Sequence, residues 1–111
     1  MLFSDLLKSV PVTHVTGDLP DSFEGVYAGD LLSRAMSHVA ADNLWITIMN
    51  NMNVIAVASL TEAAAVILAE GVTLMPDAAE AAEQKGICLL SSDESVYTLC
   101  CRIGALCTET V

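Results

Sequence analysis

The sequence predicts a compact α/β domain with a largely parallel sheet of about four to five strands and helices on both faces. Three observations favour this fold class. The chain has 111 residues, the length of one ordinary domain, so residues 1–111 are predicted to form a single domain. Short apolar segments rich in β-branched residues alternate with segments of helical spacing. The intervals between the apolar segments are long enough for the crossovers that parallel strands require.

The N-terminal part contains two small predicted elements and one loop. Leu2, Phe3, Leu6 and Leu7 are spaced as on one face of a short amphipathic helix. Val12–Thr16 alternates like a strand, and GDLPDSFEG is a loop-rich stretch too short to separate two domains.

The first βα unit follows this loop. VYAGD is predicted to be a strand that ends at Gly29, and Asp30 is predicted to cap the next helix. The residues with helical spacing in that helix are Leu32, Ala35, Met36 and Val39. After the polar break AADN, the segment Leu44–Met49 is the next predicted strand.

The segment MNVIAVASL fits either class of secondary structure. Its β-branched residues favour a strand, in which case NNMN would be a hairpin turn between antiparallel strands. Asn50 and Asn51 are good N-caps, however, and the interval from Asn50 to Ala64 has the length of a parallel crossover. Because the βα rhythm downstream also favours a crossover, Asn51–Leu60 is predicted to be a helix.

The C-terminal half shows the βα pattern most clearly. Ala65–Gly71 (AVILAEG) and Ile87–Ser92 (ICLLSS) are predicted strands, the first of them buried on both faces. The helix between them is predicted from Pro76, which suits a first turn, from Asp77 at the positive end of the dipole, and from the terminator Gly86.

A last helix is predicted after the second of these strands. Ser91 and Glu94 have the spacing of a capping box. The predicted apolar face of this helix consists of Val96, Leu99, Cys100, Ile103 and Cys107.

Three long segments resemble the small stand-alone proteins of the DRTGG-domain family: GVYAGDLLSRAMSHV, WITIMNNMNVIAVASLTEAAAVILAEGV and PDAAEAAEQKGICLLSSDESVYTL. The strongest matches are GDLLS, N-VIAVASL, ILAEG and GI-LLSSD, and similar segments occur in the N-terminal domain of bacterial HPr kinase/phosphorylase. The string DRTGG itself is absent, so no ligand contact is carried over from it. The resemblance implies a crossover helix at Asn51–Leu60 and a compact fold that commonly forms dimers. It also implies a regulatory role beside CBS, phosphate acetyltransferase or pyrophosphatase modules, and no specific reaction.

Charge and composition exclude several classes of function. The net charge is −10, and none of the four basic residues neighbours another. This argues against nucleic acid and anionic membranes as partners. No apolar stretch approaches the roughly 20 residues of a membrane span, and the N-terminus lacks the features of a signal peptide. A cytoplasmic location is therefore expected.

No motif points to a cofactor or to catalysis. The sequence contains neither a GxxxxGK[ST] phosphate loop nor a dinucleotide fingerprint, so no cofactor, metal or catalytic residue is predicted. His14 and His38 can act together with a serine or cysteine only if the fold brings them close.

The four cysteines have no CxxC spacing, which argues against a disulfide framework. A thiolate metal site built from Cys100, Cys101 and Cys107 is the alternative to core packing. Core packing is favoured, because Cys100 and Cys107 lie on the apolar face of the predicted helix.

The predicted ligand site lies beyond the carboxyl ends of the parallel strands, where open α/β sheets bind ligands. The residues expected there are Gly29, Asp30, Asn50, Asn51, Glu70, Gly71, Ser91, Ser92 and Asp93. Helix N-termini near Asp30, Asn51 and Ser91 would suit a small anion, whereas the three carboxylates would suit Mg²⁺ or an amine. The alternative, which is the commoner role of any single such residue, is that each side chain caps its own helix.

The apolar content also favours an oligomer. Tyr27, Trp45, Met36, Met49 and Met52 belong either to the core or to a surface that contacts a partner, and core is the better interpretation for Trp45.

Three functions follow from these observations. The first is a non-enzymatic regulatory module, homodimeric, that binds a small ligand such as a nucleotide or small anion and acts on a partner enzyme. The second is a protein–protein interaction module without a ligand. The third and least supported is an enzyme that uses the carboxylates of Asp30, Glu70 and Asp93.

Overall fold

The computed structural model describes residues 1–109, which form one five-stranded sheet and five helices. The helices are α1 (Phe3–Ser9), α2 (Leu32–His38), α3 (Met52–Thr61), α4 (Pro76–Lys85) and α5 (Val96–Glu109). The strands are β1 (Thr13–Thr16), β2 (Val26–Ala28), β3 (Leu44–Thr47), β4 (Ala65–Leu68) and β5 (Leu89–Ser91).

The sheet has the order β1-β5-β4-β3-β2. Strands β2, β3, β4 and β5 are parallel, and β1 pairs antiparallel with β5 at the edge of the sheet. The predicted α/β fold with a largely parallel sheet is confirmed. The pairing of β1 with β5 shifts register between His14 and Thr16, where Val15 lies.

The ambiguous segment is a helix, and the alternative of a hairpin is wrong. The side chain of Asn51 caps α3 by accepting a hydrogen bond from the Asn53 amide at 3.0 Å. The helix ends where Glu62 adopts a left-handed conformation with φ of 59°. Because α3 carries the chain back along the sheet, β3 and β4 run parallel.

The core has two layers, one on each face of the sheet. Side chains of β3 alternate between them: Leu44 and Ile46 pack with α1 and α5, whereas Trp45 packs with α2, α3 and α4. Trp45 is completely buried, and its indole N–H donates to the Gly29 carbonyl at 3.0 Å. The prediction that Trp45 belongs to the core is confirmed.

Three apolar residues that the sequence placed on buried helix faces are exposed instead: Leu2, Leu7 and Met36. Both helices concerned are short, with seven residues each, and a short helix buries only a narrow stripe. Phe3 and Leu6 fill that stripe in α1, and Ala35 fills it in α2. Within residues 1–109, no helix is both long enough and apolar enough to cross a bilayer.

The apolar face of α5 supplies a first prediction. Leu99 is fully buried in the layer that α5 forms with α1, so Leu99→Ala leaves a cavity and should lower the free energy of unfolding by about 2–5 kcal/mol. Urea denaturation followed by circular dichroism measures this change. Tyr97→Ala is the matched control, because Tyr97 lies on the same helix and is 77% exposed; it should change stability by about 0.5 kcal/mol or less. Equal effects of the two variants would show that the assigned face of α5 is wrong.

Candidate functional site

The carboxyl ends of all four parallel strands lie at the same end of the sheet. Their last residues are Ala28, Thr47, Leu68 and Ser91. Apart from Ser91 itself, every residue of the predicted ligand site lies in the loops that follow. The structure therefore gathers the loops as parallel strands require, but it uses the individual side chains in different ways.

The loops after β4 and β5 are joined by backbone hydrogen bonds. The Gly71 amide donates to the Ser92 carbonyl at 2.9 Å, and the Ser92 amide donates to the Leu68 carbonyl at 2.9 Å. The Glu70 amide adds a bond of 2.8 Å to the Glu94 carbonyl. These bonds replace ladder pairing beyond the strand ends and hold the two loops beside each other.

Gly71 is required at the turn after β4 for two reasons. Its φ of 70° lies in the left-handed region, and it follows Glu70, which has a φ of 61°. A Cβ atom at Gly71 would also lie 3.3 Å from Oδ1 of Asp93. The absence of a side chain therefore leaves space for the Asp93 carboxylate directly above the turn.

A cleft of about 250 Å³ opens between these two loops and β1. Its apolar lining consists of Val15, Leu68, Val72 and Leu74, and its polar lining consists of Thr73, Ser91, Ser92 and Asp93, with Gly71 at the turn. A second opening shares Ser91, Ser92 and Asp93 but is bounded by residues 11–13 and Glu94.

The predicted capping box at Ser91 and Glu94 is wrong. Ser91 is still part of β5, where it pairs with both β4 and β1, and α5 begins at Val96. The cap is Ser95, whose Oγ accepts from the Thr98 amide at 3.1 Å. Ser92 instead stabilises the corner, because its Oγ accepts from the Glu94 amide at 3.1 Å.

The predicted capping role of Asp30 is also wrong. No side chain caps α2, and the Asp30 carboxylate accepts two other hydrogen bonds. These come from the hydroxyl of the fully buried Thr47 at 2.7 Å and from the Ile48 amide at 2.9 Å. Asp30 therefore ties the end of β2 to the end of β3.

The amides of Asn50 and Asn51 serve the structure as well. Asn51 caps α3, whereas Nδ2 of Asn50 donates to the Thr73 carbonyl at 2.8 Å. The Asn50 carbonyl accepts from the Met75 amide at 3.1 Å. Asn50 thus connects the start of α3 to the loop that lines the cleft.

The predicted site residues divide into two groups. Gly71, Ser91, Ser92 and Asp93 come together around the cleft. Gly29, Asp30, Asn50, Asn51 and Glu70 do not line it, although Asn50 supports its wall through Thr73.

The three carboxylates that the enzyme hypothesis requires do not form a cluster. Asp30 follows β2 and Asp93 follows β5, and three strand spacings in this sheet amount to about 14 Å. In the part of the chain that the structure describes, no three side chains of His, Cys, Asp or Glu are placed to hold a metal ion. Within residues 1–109 this includes Cys100, Cys101 and Cys107, which are not placed to form a thiolate metal site.

The two histidines are far apart. His14 lies on β1 with Nε2 at 3.0 Å from the Thr16 carbonyl, while His38 lies at the end of α2. Its ring stacks on Tyr27 with 6.2 Å between the centroids. Since β1 and β2 are opposite edge strands of the sheet, the two histidines do not act on each other. The serine that His38 contacts is its exposed neighbour Ser37, whose Oγ lies 2.9 Å from Nδ1 of His38.

The sequence did not indicate five of the residues that line the cleft: Val15, Leu68, Val72, Thr73 and Leu74. Leu68 is the last residue of β4. Val15 reaches the cleft only because β1 pairs with β5, and no local pattern specifies that pairing. The other three lie between Gly71 and Pro76, in the strand-to-helix loop. Loops at this position commonly contact ligands, so the position alone could have indicated them.

A solved structure with a similar fold is the regulatory region of a pyrophosphatase. No protein-family model and no curated protein matches the sequence. The structure is similar to that of the CBS and DRTGG domains of the regulatory region of Clostridium perfringens pyrophosphatase, complexed with the activator diadenosine tetraphosphate. The TM-score is 0.73 at 12% identity, over 92% of this chain and 45% of that chain. This chain therefore has a CBS/DRTGG-like α/β fold and spans less than half of the chain it matches.

The cysteines supply a second prediction. Burial raises the pKa of the Cys88 thiol from 9.0 to about 11, and the charge of Asp18 adds to the shift. Burial also raises the pKa of Cys100, whereas Cys101 is exposed. Because the thiolate is the reactive form, and about 0.1% of Cys88 is thiolate at pH 8, iodoacetamide should label Cys101 first and Cys88 last. Peptide mass spectrometry of the native protein measures the order, and urea-unfolded protein is the control. Equally fast labelling of native Cys88 and Cys101 would contradict the burial of Cys88.

Proposed function

We propose that this chain is a non-enzymatic regulatory module that binds a small ligand in the cleft between residues 71–74 and residues 91–93. The observation that carries the proposal is the cleft itself. It lies beyond the carboxyl ends of two adjacent parallel strands, the usual ligand position in an open α/β sheet. Its two walls are joined by backbone hydrogen bonds, so a ligand that contacts both walls would bias how closely they approach.

The fold comparison supports a regulatory role. The similar structure belongs to the regulatory region of a pyrophosphatase and holds an activator. We carry over from it the class of function, a module whose ligand alters the behaviour of a partner, and not the identity of the ligand.

A chain of contacts connects the cleft to an exposed surface. Thr73 lines the cleft and accepts a hydrogen bond from Asn50, which directly precedes Asn51, the cap of α3. A ligand that moves the loop containing Thr73 would therefore act on the first turn of α3. In this proposal, α3 transmits the state of the cleft to a second copy of the chain or to a partner enzyme.

The outer face of α3 (Met52, Ala56, Ser59 and Leu60) supports this role. All four residues are exposed, and α3 packs between α2 and α4 on the sheet. No residue between Asp42 and Glu62 is charged, in a chain whose net charge is −10. Two copies that meet through this face would bring no carboxylates of α3 together.

The same surface favours the second candidate function, a protein–protein interaction module whose cleft holds no ligand. The two candidates differ in whether the cleft responds to small molecules. Both predict that the outer face of α3 is a contact surface, and only the first predicts stabilisation by a ligand.

A thermal-shift screen of nucleosides, nucleotides, small phosphates, amines and divalent cations tests the ligand. A ligand at 100 times its dissociation constant adds about 2.7 kcal/mol of stability, so Tm should rise on the order of 10 °C. Val15→Phe should block the cleft and abolish the rise, because Val15 is 45% exposed at its mouth.

Val26→Phe is the matched control, since Val26 is 41% exposed on the opposite edge strand and does not line the cleft. If Val15→Phe kept the whole rise in Tm, the ligand would bind elsewhere. If no compound changed Tm, the interaction module would be the better proposal.

The contact surface supplies a separate prediction. Leu60 is 70% exposed on the outer face of α3, and Leu60→Glu places a charge where two copies would meet. Light scattering after size-exclusion chromatography should show a dimer for the unmodified chain and a monomer for this variant. Tyr97→Glu, on the opposite face of the sheet, should remain dimeric. A chain that is monomeric at every concentration tested would contradict self-association through α3.

A further inference from the structure

We infer that the cleft selects a small ligand with an apolar body and an amino group, and that it rejects phosphate-bearing ligands. This inference rests on the proposed function, in which the cleft is the ligand site. It names the chemical class of the ligand, and it differs from the polyphosphate activator of the structurally similar pyrophosphatase region.

The Asp93 carboxylate is the acceptor that this ligand would use. It lies at the cleft with Oδ1 above Gly71, and no residue of the described range 1–109 forms a hydrogen bond or ion pair with its side chain. Asp30, by contrast, already accepts from Thr47 and Ile48. Asp93 is therefore available to an amino group, and a charge-assisted hydrogen bond is stronger than a neutral one.

No cation accompanies this carboxylate. The residues that line the cleft include no Lys, Arg or His. Lys85 ends α4, which leads to the amino end of β5, whereas the cleft lies at the carboxyl end of that strand. Nη2 of Arg102 lies 4.0 Å from Oε1 of Glu94 and is paired with that carboxylate. A phosphate in the cleft would meet Asp93 without a compensating charge, within a chain of net charge −10.

The N-terminus of α4, which follows the loop lining the cleft, does not supply the missing positive charge. α4 begins with Pro76, which has no N–H group, and Asp77 follows it. The Ala78 amide already donates to the Asp77 carboxylate at 2.9 Å, and the Ala79 amide donates to the Met75 carbonyl at 2.9 Å. Of the first-turn amides, those of Ala78 and Ala79 are thus engaged, and the side chain beside the amide of Asp77 is the acidic group of Asp77 itself, which disfavours an anion there.

The size and lining of the cleft limit the body of the ligand. Its volume of about 250 Å³ lies below the roughly 300–1,000 Å³ of pockets for drug-sized ligands, which favours a small ligand. Leu68 and Leu74 are buried beneath the cleft, and its apolar walls are the exposed Val15 and the half-buried Val72. These side chains suit a single small ring or a short aliphatic chain.

Three probes share a phenyl ring and differ in charge: 2-phenylethylamine is a cation, 2-phenylethanol is neutral and 3-phenylpropionate is an anion. ATP is added as a phosphate-bearing probe. Each is titrated into the full ¹⁵N-labelled chain, and the amide resonances of Gly71, Thr73 and Ser92 are followed. The amine should shift these resonances saturably, the alcohol should bind at least about tenfold more weakly, and the two anions should leave them unchanged.

Asp93→Asn should weaken binding of the amine by at least about tenfold and leave the affinity for the alcohol unchanged. Asp42→Asn is the control, because Asp42 is exposed before β3 and Asn tolerates its φ of 67°. Equal affinity of the amine for unmodified and Asp93→Asn protein would overturn the inference. ATP or phenylpropionate shifting these resonances while the amine does not would overturn it too, and would leave the cleft as the ligand site. If no probe moved these resonances, both the inference and the ligand-binding proposal would fail.

Discussion

The packing of α3 against the sheet is the constraint on which the rest of the structure depends. Val54, Ile55 and Val57 are buried there, and each buried aliphatic side chain contributes roughly 1.5–3 kcal/mol. Their intrinsic preference against the helix is at most about 0.7 kcal/mol per residue, so burial outweighs propensity. With α3 in place, β3 and β4 run parallel and end at one edge. Had this segment paired as an antiparallel strand, the loops after β3 and β4 would lie at opposite edges.

Some polar residues at that end of the sheet bond to other parts of the protein, and others are available to a ligand. Asp30 and Asn51 each accept hydrogen bonds from the protein, and Asn50 donates one to the neighbouring loop. Such bonds are needed because backbone groups beyond the strand ends have lost their ladder partners. Asp93 differs, since Gly71 leaves room beside its carboxylate and the described protein atoms do not saturate it. The side chain of Glu70 is likewise not bonded within residues 1–109, but of these two carboxylates Asp93 is the one that lines the cleft.

The distribution of charge gives this chain two contrasting surfaces. The outer face of α3 carries no charge and suits contact with another protein, whereas the cleft combines an apolar lining with one carboxylate and no base. Asn50 lies between them, bonded to Thr73 on one side and adjacent to the cap of α3 on the other. A module that couples a small ligand to an interaction surface needs such a connection, because coupling requires contacts that both sites can bias.

Local patterns in the sequence determined the elements that depend on near neighbours. The Asn51 cap, the Pro76 start and the Gly86 end of α4 involve residues a few positions apart, and all of them appear in the structure as predicted. The apolar, β-branched segments likewise predicted the buried parallel strands β3 and β4.

Only the tertiary structure decided which polar groups face which partners. Asp30 could cap α2 as well as bond Thr47, which is 17 residues away. The cap of α5 is Ser95 and not the predicted Ser91, which the sheet pairing keeps in β5. The antiparallel addition of β1 brought Val15 to the cleft across more than 70 residues of chain. Hydrogen bonds across such distances form only once packing has placed the elements, so they leave no local pattern in the sequence. For that reason the sequence located the edge of the sheet, and the three-dimensional packing selected the cleft within it.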